Sequence, residues 1–287
     1  MPHTLKRILL LLLIPTLILG GCAAQRAEPE SGSSEAGDSF TVTELYVQNG
    51  ALSIYGKLYV PSGQEGKLPA VILSHSSDLT SDSMTSYCER IASLGYIAYA
   101  FDFCGGSKHS RSDGEASEMT VFTEVEDLKA VLNAVSQLEM VDASQIFLFG
   151  TSQGGLVSAL VAEERPEDVA GLILFYPAFN IAELVQKFYS GVRTVFQNAY
   201  AEALLDYNVF EHIGAYPGDV LIVHGSRDFI VPCSYSEDAA ALYPNCELFL
   251  IEGASHGFND ENFALGDYDE ASWRYAERYL AQHRENP

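Results

Sequence analysis

Three residues of this chain have the types and the surroundings for nucleophilic chemistry. Ser152 is the centre of Gly150-Thr151-Ser152-Gln153-Gly154, a G-x-S-x-G sequence between an apolar run ending at Phe149 and a segment with helical spacing. A strand turning sharply into a helix strains its central residue and crowds the positions two residues away, so both flanks need glycine. Asp228, in His224-Gly225-Ser226-Arg227-Asp228, follows the apolar run Val220–Val223. His256, in Gly253-Ala254-Ser255-His256-Gly257-Phe258, follows the run Glu247–Ile251. Taken singly, Ser152 fits a capped or phosphate-binding turn, Asp228 a solvated turn beside Arg227, and His256 a structural histidine. As a set they are what acyl transfer needs. A serine hydroxyl is a poor nucleophile near neutrality, so an imidazole must take its proton and a carboxylate must hold the imidazole's tautomer. A histidine base predicts activity that falls as the pH drops through the ordinary imidazole range, about 6.5.

Such residues must be gathered by the ends of strands, because functional side chains of open parallel sheets lie beyond the strands' carboxyl ends. Two β-like runs, Phe40–Gln48 and Ala51–Val60, meet at Asn49-Gly50, a hairpin turn signal. Apolar strands are then expected at Ala70–Ser74, Tyr96–Phe101, Gln145–Phe149, Gly171–Tyr176, Val220–Val223 and Glu247–Ile251. They alternate with helices at Met84–Leu94, Val121–Leu138, Gly155–Glu163, Tyr235–Leu242 and Tyr268–Gln282. Continuous apolar strands alternating with helices indicate an α/β fold with a largely parallel sheet covered on both faces. The alternation lapses between Pro177 and Pro217, where Ile181–Phe188, Val192–Phe196 and Ala201–Leu205 have helical character. An insertion of that length over a sheet edge reads as a lid. Its Phe179, Phe188, Tyr189, Phe196, Tyr200, Tyr207, Phe210 and Tyr216 either line an apolar pocket or form the insertion's own packing core.

The chain has 287 residues, 47% hydrophobic and 19% charged, enough apolar content for a large core. Its 16 basic against 39 acidic residues give a formal charge of −23, which repels phosphate backbones and disfavours nucleic acid as a partner. Lys6 and Arg7 precede an apolar stretch, Ile8–Leu19, too short for a comfortable membrane span of about 20 residues. A basic start with a short apolar core reads as a secretory signal peptide over residues 1–21. Its end, Leu19-Gly20-Gly21-Cys22, resembles a bacterial lipobox, in which the cysteine receives the lipid and becomes the mature N-terminus. An uncleaved anchor helix is the alternative, and either leaves the folded part outside the cytoplasm and tethered to a membrane. Residues 22–39 read as a flexible tether, about 20–25 Å across as a random coil, and residues 40–287 as the folded domain. Cys88, Cys104, Cys233 and Cys246 are either buried free thiols or paired in one of three ways. No zinc-type Cys/His spacing occurs. His75, His224 and Asp102 lie near one sheet edge and could mimic a metal site.

The region from about Phe40 to His283 resembles the α/β-hydrolase superfamily and, within it, bacterial cinnamoyl/feruloyl-type serine esterases and related peptidase-like hydrolases. The resemblance is carried by Leu73-Ser74-His75, by Phe101-Asp102-Phe103-Cys104-Gly105-Gly106-Ser107, by Met119-Thr120-Val121 with Glu126-Asp127-Leu128, by Gly150–Gly155, by His224–Pro232 and by His256-Gly257-Phe258. The order Ser152, Asp228, His256 is that expected of the superfamily's triads. The resemblance implies an α/β-hydrolase fold, with a mostly parallel central sheet, an N-terminal antiparallel hairpin, helices on both faces and a helical lid insertion at about 178–217. It implies Ser152 as nucleophile, His256 as general base and Asp228 as its orienting acid. Gln153 would supply one oxyanion N–H and Ser77, two residues after His75, the other. Ser76 stands where a glycine is usual, which is permitted only if its φ is not positive. Cys104 and Gly106 stand in a stretch relatives often write D-x-R-G-x-G, so the arginine is missing. The implied reaction is hydrolysis of a small aryl or short-acyl carboxylic ester through an acyl-enzyme, without cofactor or metal. A peptidase or thioesterase with the same triad, or a ligand-binding lipoprotein that has kept the scaffold, are the competing readings.

Overall fold

A computed structural model describes residues 39–189, 198–259 and 267–285. The expected signal peptide, Cys22, nearly all of the tether and the expected helix Val192–Phe196 lie outside the described residues. Eight strands form one sheet: β1 (Phe40–Asn49), β2 (Leu52–Pro61), β3 (Leu68–Ser74), β4 (Ile97–Phe101), β5 (Val141–Thr151), β6 (Gly171–Phe175), β7 (Asp219–Gly225) and β8 (Cys246–Ile251). Their spatial order is β1-β2-β4-β3-β5-β6-β7-β8. The hairpin β1–β2 and the β2–β4 pair are antiparallel, and every later pair is parallel. The mostly parallel sheet with an antiparallel N-terminal edge is thus as expected.

The described residues form the α-helices α1 (Thr85–Ser93), α2 (Val121–Ser136), α3 (Gln153–Glu164), α4 (Ile181–Tyr189), α5 (Asn198–Leu204), α6 (Ser234–Ala240) and, after the last strand, α7 (Asp267–Glu285). Successive strand side chains point to opposite faces, and two cores follow from that. Ile72, Leu148, Leu172 and Ile222 join the side chains of α2 and α3 on one face, including Val125, Leu128, Leu156 and Leu160. Val71, Phe147, Ile173 and Leu221 join α1 and α7 on the other, through Cys88, Ile91, Trp273 and Leu280. Both faces are therefore covered, as a parallel sheet requires. β5 begins at Val141, four residues before the expected start. Its opening stretch, half-buried Asp142 and exposed Ala143 and Ser144, lies at the register shift against β3, so no apolar run announces it.

All four described cysteines are free thiols, with Cys88 and Cys104 buried. Burial pushes both of these thiols well above their ordinary range. Among the described residues, no helix is long and apolar enough to cross a membrane.

Candidate active site

Ser152 stands between the last residue of β5 and the first of α3, with φ 49° and ψ −116°. A Cβ on Gly150 would lie 2.2 Å from the carbonyl oxygen of Gly154, and one on Gly154 would lie 2.2 Å from that of Ser74. Both glycines are thus required by backbone against backbone. The end of β6 grips the turn as well: Ser152 N–H donates to Phe175 O at 3.0 Å and Ser152 O accepts from Ala178 N–H at 2.9 Å.

Asp228 lies in the loop after β7. Its Oδ1 accepts the N–H groups of Ile230 and Val231 at 2.9 and 2.8 Å. Its Oδ2 meets His256 Nδ1 at 2.7 Å and His224 Nε2 at 3.1 Å. Burial by itself would raise this carboxyl's pKa, but the bonds from His224 and His256, the imidazole charge and the Val231 amide outweigh burial. They hold the carboxyl well below the usual carboxylate range. His256 completes the line, with Nε2 3.0 Å from Ser152 Oγ. It is fixed by its neighbours: Phe258, with φ 56°, is buried edge-on against Phe175 and Tyr176, and Asn259 Nδ2 donates to His256 O at 2.9 Å. Residues separated by more than a hundred positions are thereby brought into one hydrogen-bonded row.

The two amides expected to face an oxyanion, those of Gln153 and Ser77, belong to residues that line one cavity with Ser152 and His256. Gln153 is the first residue of α3, so no helical carbonyl lies a turn behind its N–H. Ser76 is not among the non-glycine residues with positive φ, so serine fits where glycine is usual. Its Oγ lies 2.9 Å from Thr151 Oγ1. His75 is buried beneath this loop, with Nδ1 2.8 Å from Ser76 O and Nε2 accepting Phe103 N–H at 3.3 Å. Burial pushes its pKa down, against the Ser76 bond and Asp102, so it serves as a neutral brace. Among the described residues no group of three His, Cys, Asp or Glu side chains could hold a metal ion.

Two features were missed in the sequence. The arginine absent at Cys104 is replaced by Arg111, whose Nε lies 3.4 Å from buried Asp102 and whose guanidinium sits 4.0 Å over the Tyr55 ring. His224, fully buried, braces Asp228 from behind, with Nδ1 2.7 Å from Ser236 Oγ and Nε2 2.8 Å from Val231 O. A histidine four residues before the acid at a strand end was the available signal.

The cavity measures about 620 Å³, and its apolar walls are Leu79, Tyr176, Ala178, Ile181, Leu184, Ile230 and Val231. Of the insertion's aromatic residues, Phe179, Tyr200 and Tyr216 are buried in the core, while Tyr207 and Phe210 pack against it. None of these five lines the cavity. For these five the packing alternative is the one that holds: their area is consumed in fastening the insertion to the body. Phe196 and the side chains of Phe188 and Tyr189 lie outside the described set.

Glu124, in the first turn of α2 behind the Thr120 capping box, is buried beside this site and donates nothing to the row. Its Oε2 accepts Gln153 Nε2–H at 2.6 Å. Burial, and secondarily the nearby Asp127, raise its pKa to about 8, against the opposing Gln153 bond. With the folded value above the unfolded one, the unfolded chain loses this proton first. Stability therefore falls as the pH rises from the ordinary carboxylate range through about 8, and flattens above it. Glu124→Gln keeps an acceptor and removes the titration. The variant's stability relative to wild type is expected to rise by about 3 kcal/mol between pH 5 and pH 8, measured by denaturant unfolding. A pH-independent difference would show that Glu124 ionises normally.

Comparisons with known proteins bear on the family and the fold. The family described as serine aminopeptidase, S33, a hydrolase family, matches residues 67–217, more than half of the chain. An uncharacterized protein of Mycobacterium tuberculosis is 28% identical over 204 residues, 70% of this chain and 67% of that one. The monoglyceride lipase of Rattus norvegicus is 31% identical over 129 residues, 43% of this chain and 39% of the lipase. Among solved structures, Est1E from Butyrivibrio proteoclasticus with ferulic acid bound superposes with a TM-score of 0.73 at 24% identity, over 84% of this chain and 99% of Est1E. That likeness establishes the fold. With strand order, elbow glycines and family match in agreement, the chain belongs to the S33 family of α/β-hydrolases and is a hydrolase.

Proposed function

We propose that this hydrolase is a serine esterase cleaving carboxylic esters with a small aryl or short acyl group. The observation that carries the reading is the Ser152–His256–Asp228 row opening on a cavity whose described lining residues are largely apolar and include no Asp, Glu, Lys or Arg. Ser152 Oγ attacks the ester carbonyl while His256 Nε2 takes its proton. Asp228 keeps the other imidazole proton on Nδ1 and balances the charge that forms. The amides of Gln153 and Ser77 stabilise the oxyanion, and collapse expels the alcohol, protonated by His256. Water, activated by the same imidazole, then releases the acid from the acyl-enzyme.

The family's name favours an aminopeptidase as second reading. Such an enzyme must hold a substrate ammonium, and a carboxylate on the wall is the usual means. The catalytic cavity has no Asp or Glu among its described lining residues, which favours the ester. We also propose that the domain lies outside the cytoplasm, held by lipid on Cys22, since two acyl chains anchor where one binds weakly. One labelling experiment on cell fractions tests both parts. A fluorophosphonate is expected to label the wild-type protein in the membrane fraction, to label Cys22→Ser in the soluble fraction, and not to label folded Ser152→Ala. Undiminished labelling of Ser152→Ala would overturn the serine mechanism, and an unchanged fraction for Cys22→Ser would overturn the anchor.

A further inference from the structure

The side chain of Gln153 does something that its expected role, a backbone N–H, does not require. Its carboxamide is bound at both ends by elements distant in sequence. Nε2 donates to Glu124 Oε2 at 2.6 Å, in the first turn of α2. Oε1 accepts Tyr200 O–H at 2.7 Å, from α5 of the insertion. All three residues are nearly inaccessible: Glu124 is 1% exposed, Gln153 2% and Tyr200 2%. A planar amide held at both ends by buried partners has little freedom to rotate or shift. The residue carrying it begins α3, directly after the strained Ser152. The backbone N–H expected to face the oxyanion thus belongs to the same residue as a side chain locked in two directions.

From this juxtaposition we infer that Glu124 and Tyr200 are positioning residues for the oxyanion donor at Gln153, and that Tyr200 makes the insertion part of the site's mounting. The inference rests on the serine hydrolase reading. Its physical consequence is a coupling. With α5 seated, Gln153 Oε1 has its donor and the amide N–H is aimed. With α5 displaced, a buried carbonyl loses its partner, which the local structure must relieve by moving Gln153. Seating of the insertion and the power of the oxyanion site then rise and fall together. Loss of an entire oxyanion donor costs about 100- to 1,000-fold in rate, so a misaimed one is expected to cost about 10-fold.

The test uses the full chain with p-nitrophenyl butyrate as probe and reads kcat and KM separately. Tyr200→Phe keeps the ring and removes only the hydroxyl, and Gln153→Leu keeps the backbone N–H and the side chain's bulk. Both are expected to lower kcat about 10-fold with KM within about twofold, the pattern of an interaction made in the transition state. Glu124→Leu should do the same, while Glu124→Gln, which retains an acceptor for Gln153, should restore kcat. A purely structural cluster would lower melting temperature and leave kcat alone. Wild-type kcat in Tyr200→Phe and Gln153→Leu would therefore overturn the inference. If Ser152→Ala retains turnover, the hydrolase reading itself has failed, and the inference with it. Loss of turnover in Ser152→Ala alongside wild-type kcat in the other variants would sink the inference alone.

Discussion

Asp228→Asn is expected to lower kcat about 10,000-fold while changing KM little. The effect follows from where four hydrogen bonds must go. Oδ1 accepts two backbone amides, from Ile230 and Val231, so an asparagine keeps its carbonyl oxygen there. Its NH₂ then replaces Oδ2 and faces the nitrogens of His256 and His224. To meet a donor, His256 Nδ1 must become an acceptor, which moves the ring proton to Nε2. That proton points at Ser152 Oγ, 3.0 Å away, and a protonated nitrogen cannot serve as base. The shape of the site survives and its proton inventory is wrong. Steady-state kinetics on an activated ester, with a melting curve to show that the fold persists, measures the result. A loss below about 100-fold would mean that Asp228 does not set the tautomer.

The same residue has a signature in stability. Its folded pKa lies below the unfolded one, so the stability it contributes is fully present above the ordinary carboxylate range. That contribution is lost as the pH falls toward the depressed folded value. Asp228→Asn removes this acid-side dependence, whereas Glu124→Gln removes an alkaline one.

What could be read from the sequence divides along physical lines. Ser152, Asp228 and His256 were legible because each follows a short apolar run closely, with glycine nearby at Gly150, Gly225 and Gly257, so local pattern alone puts it at a strand end. Arg111 was not, because its partner Asp102 lies nine positions back across a loop whose path no periodicity records. Glu124 was legible in principle. It falls one helical turn from Val121 and from Leu128, on the stripe those residues bury, and an acid on an apolar stripe announces a buried partner. That the partner would be Gln153, and beyond it Tyr200, depends on how α2, α3 and α5 pack, which hydrophobic spacing leaves open. The insertion's aromatic residues illustrate the same limit. Composition shows that they are apolar and numerous, but whether they wall a cavity or hold two helices together is settled only by packing.

Gly154→Ala is expected to be among the more damaging single methyl additions to this chain. The added Cβ would lie 2.2 Å from Ser74 O, 2.5 Å from Ser74 C and 2.6 Å from His75 O. These are backbone atoms at the end of β3, and no rotamer change can clear them. Alanine's better helix propensity returns about 1 kcal/mol, while wedging two backbones apart costs about 3 kcal/mol or more. A net loss of about 2–4 kcal/mol should appear in denaturant unfolding. Catalysis should suffer further, because the start of α3 must back away from the loop bearing Ser77, separating the two amides proposed to face the oxyanion. A misplacement of about 1 Å is enough for a loss near 100-fold in kcat/KM. Gly155→Ala is the control, one residue along the same helix. Its Cβ would meet Pro177 Cβ at 3.0 Å and Gly150 O at 3.2 Å, contacts that a few tenths of an ångström relieve. Propensity and crowding should there cancel to within about 1 kcal/mol, with kcat/KM within a few-fold of wild type. If the two alanines behave alike, close approach of α3 to β3 is not what aims Ser152, and the strained turn there must be held by the β6 contacts instead.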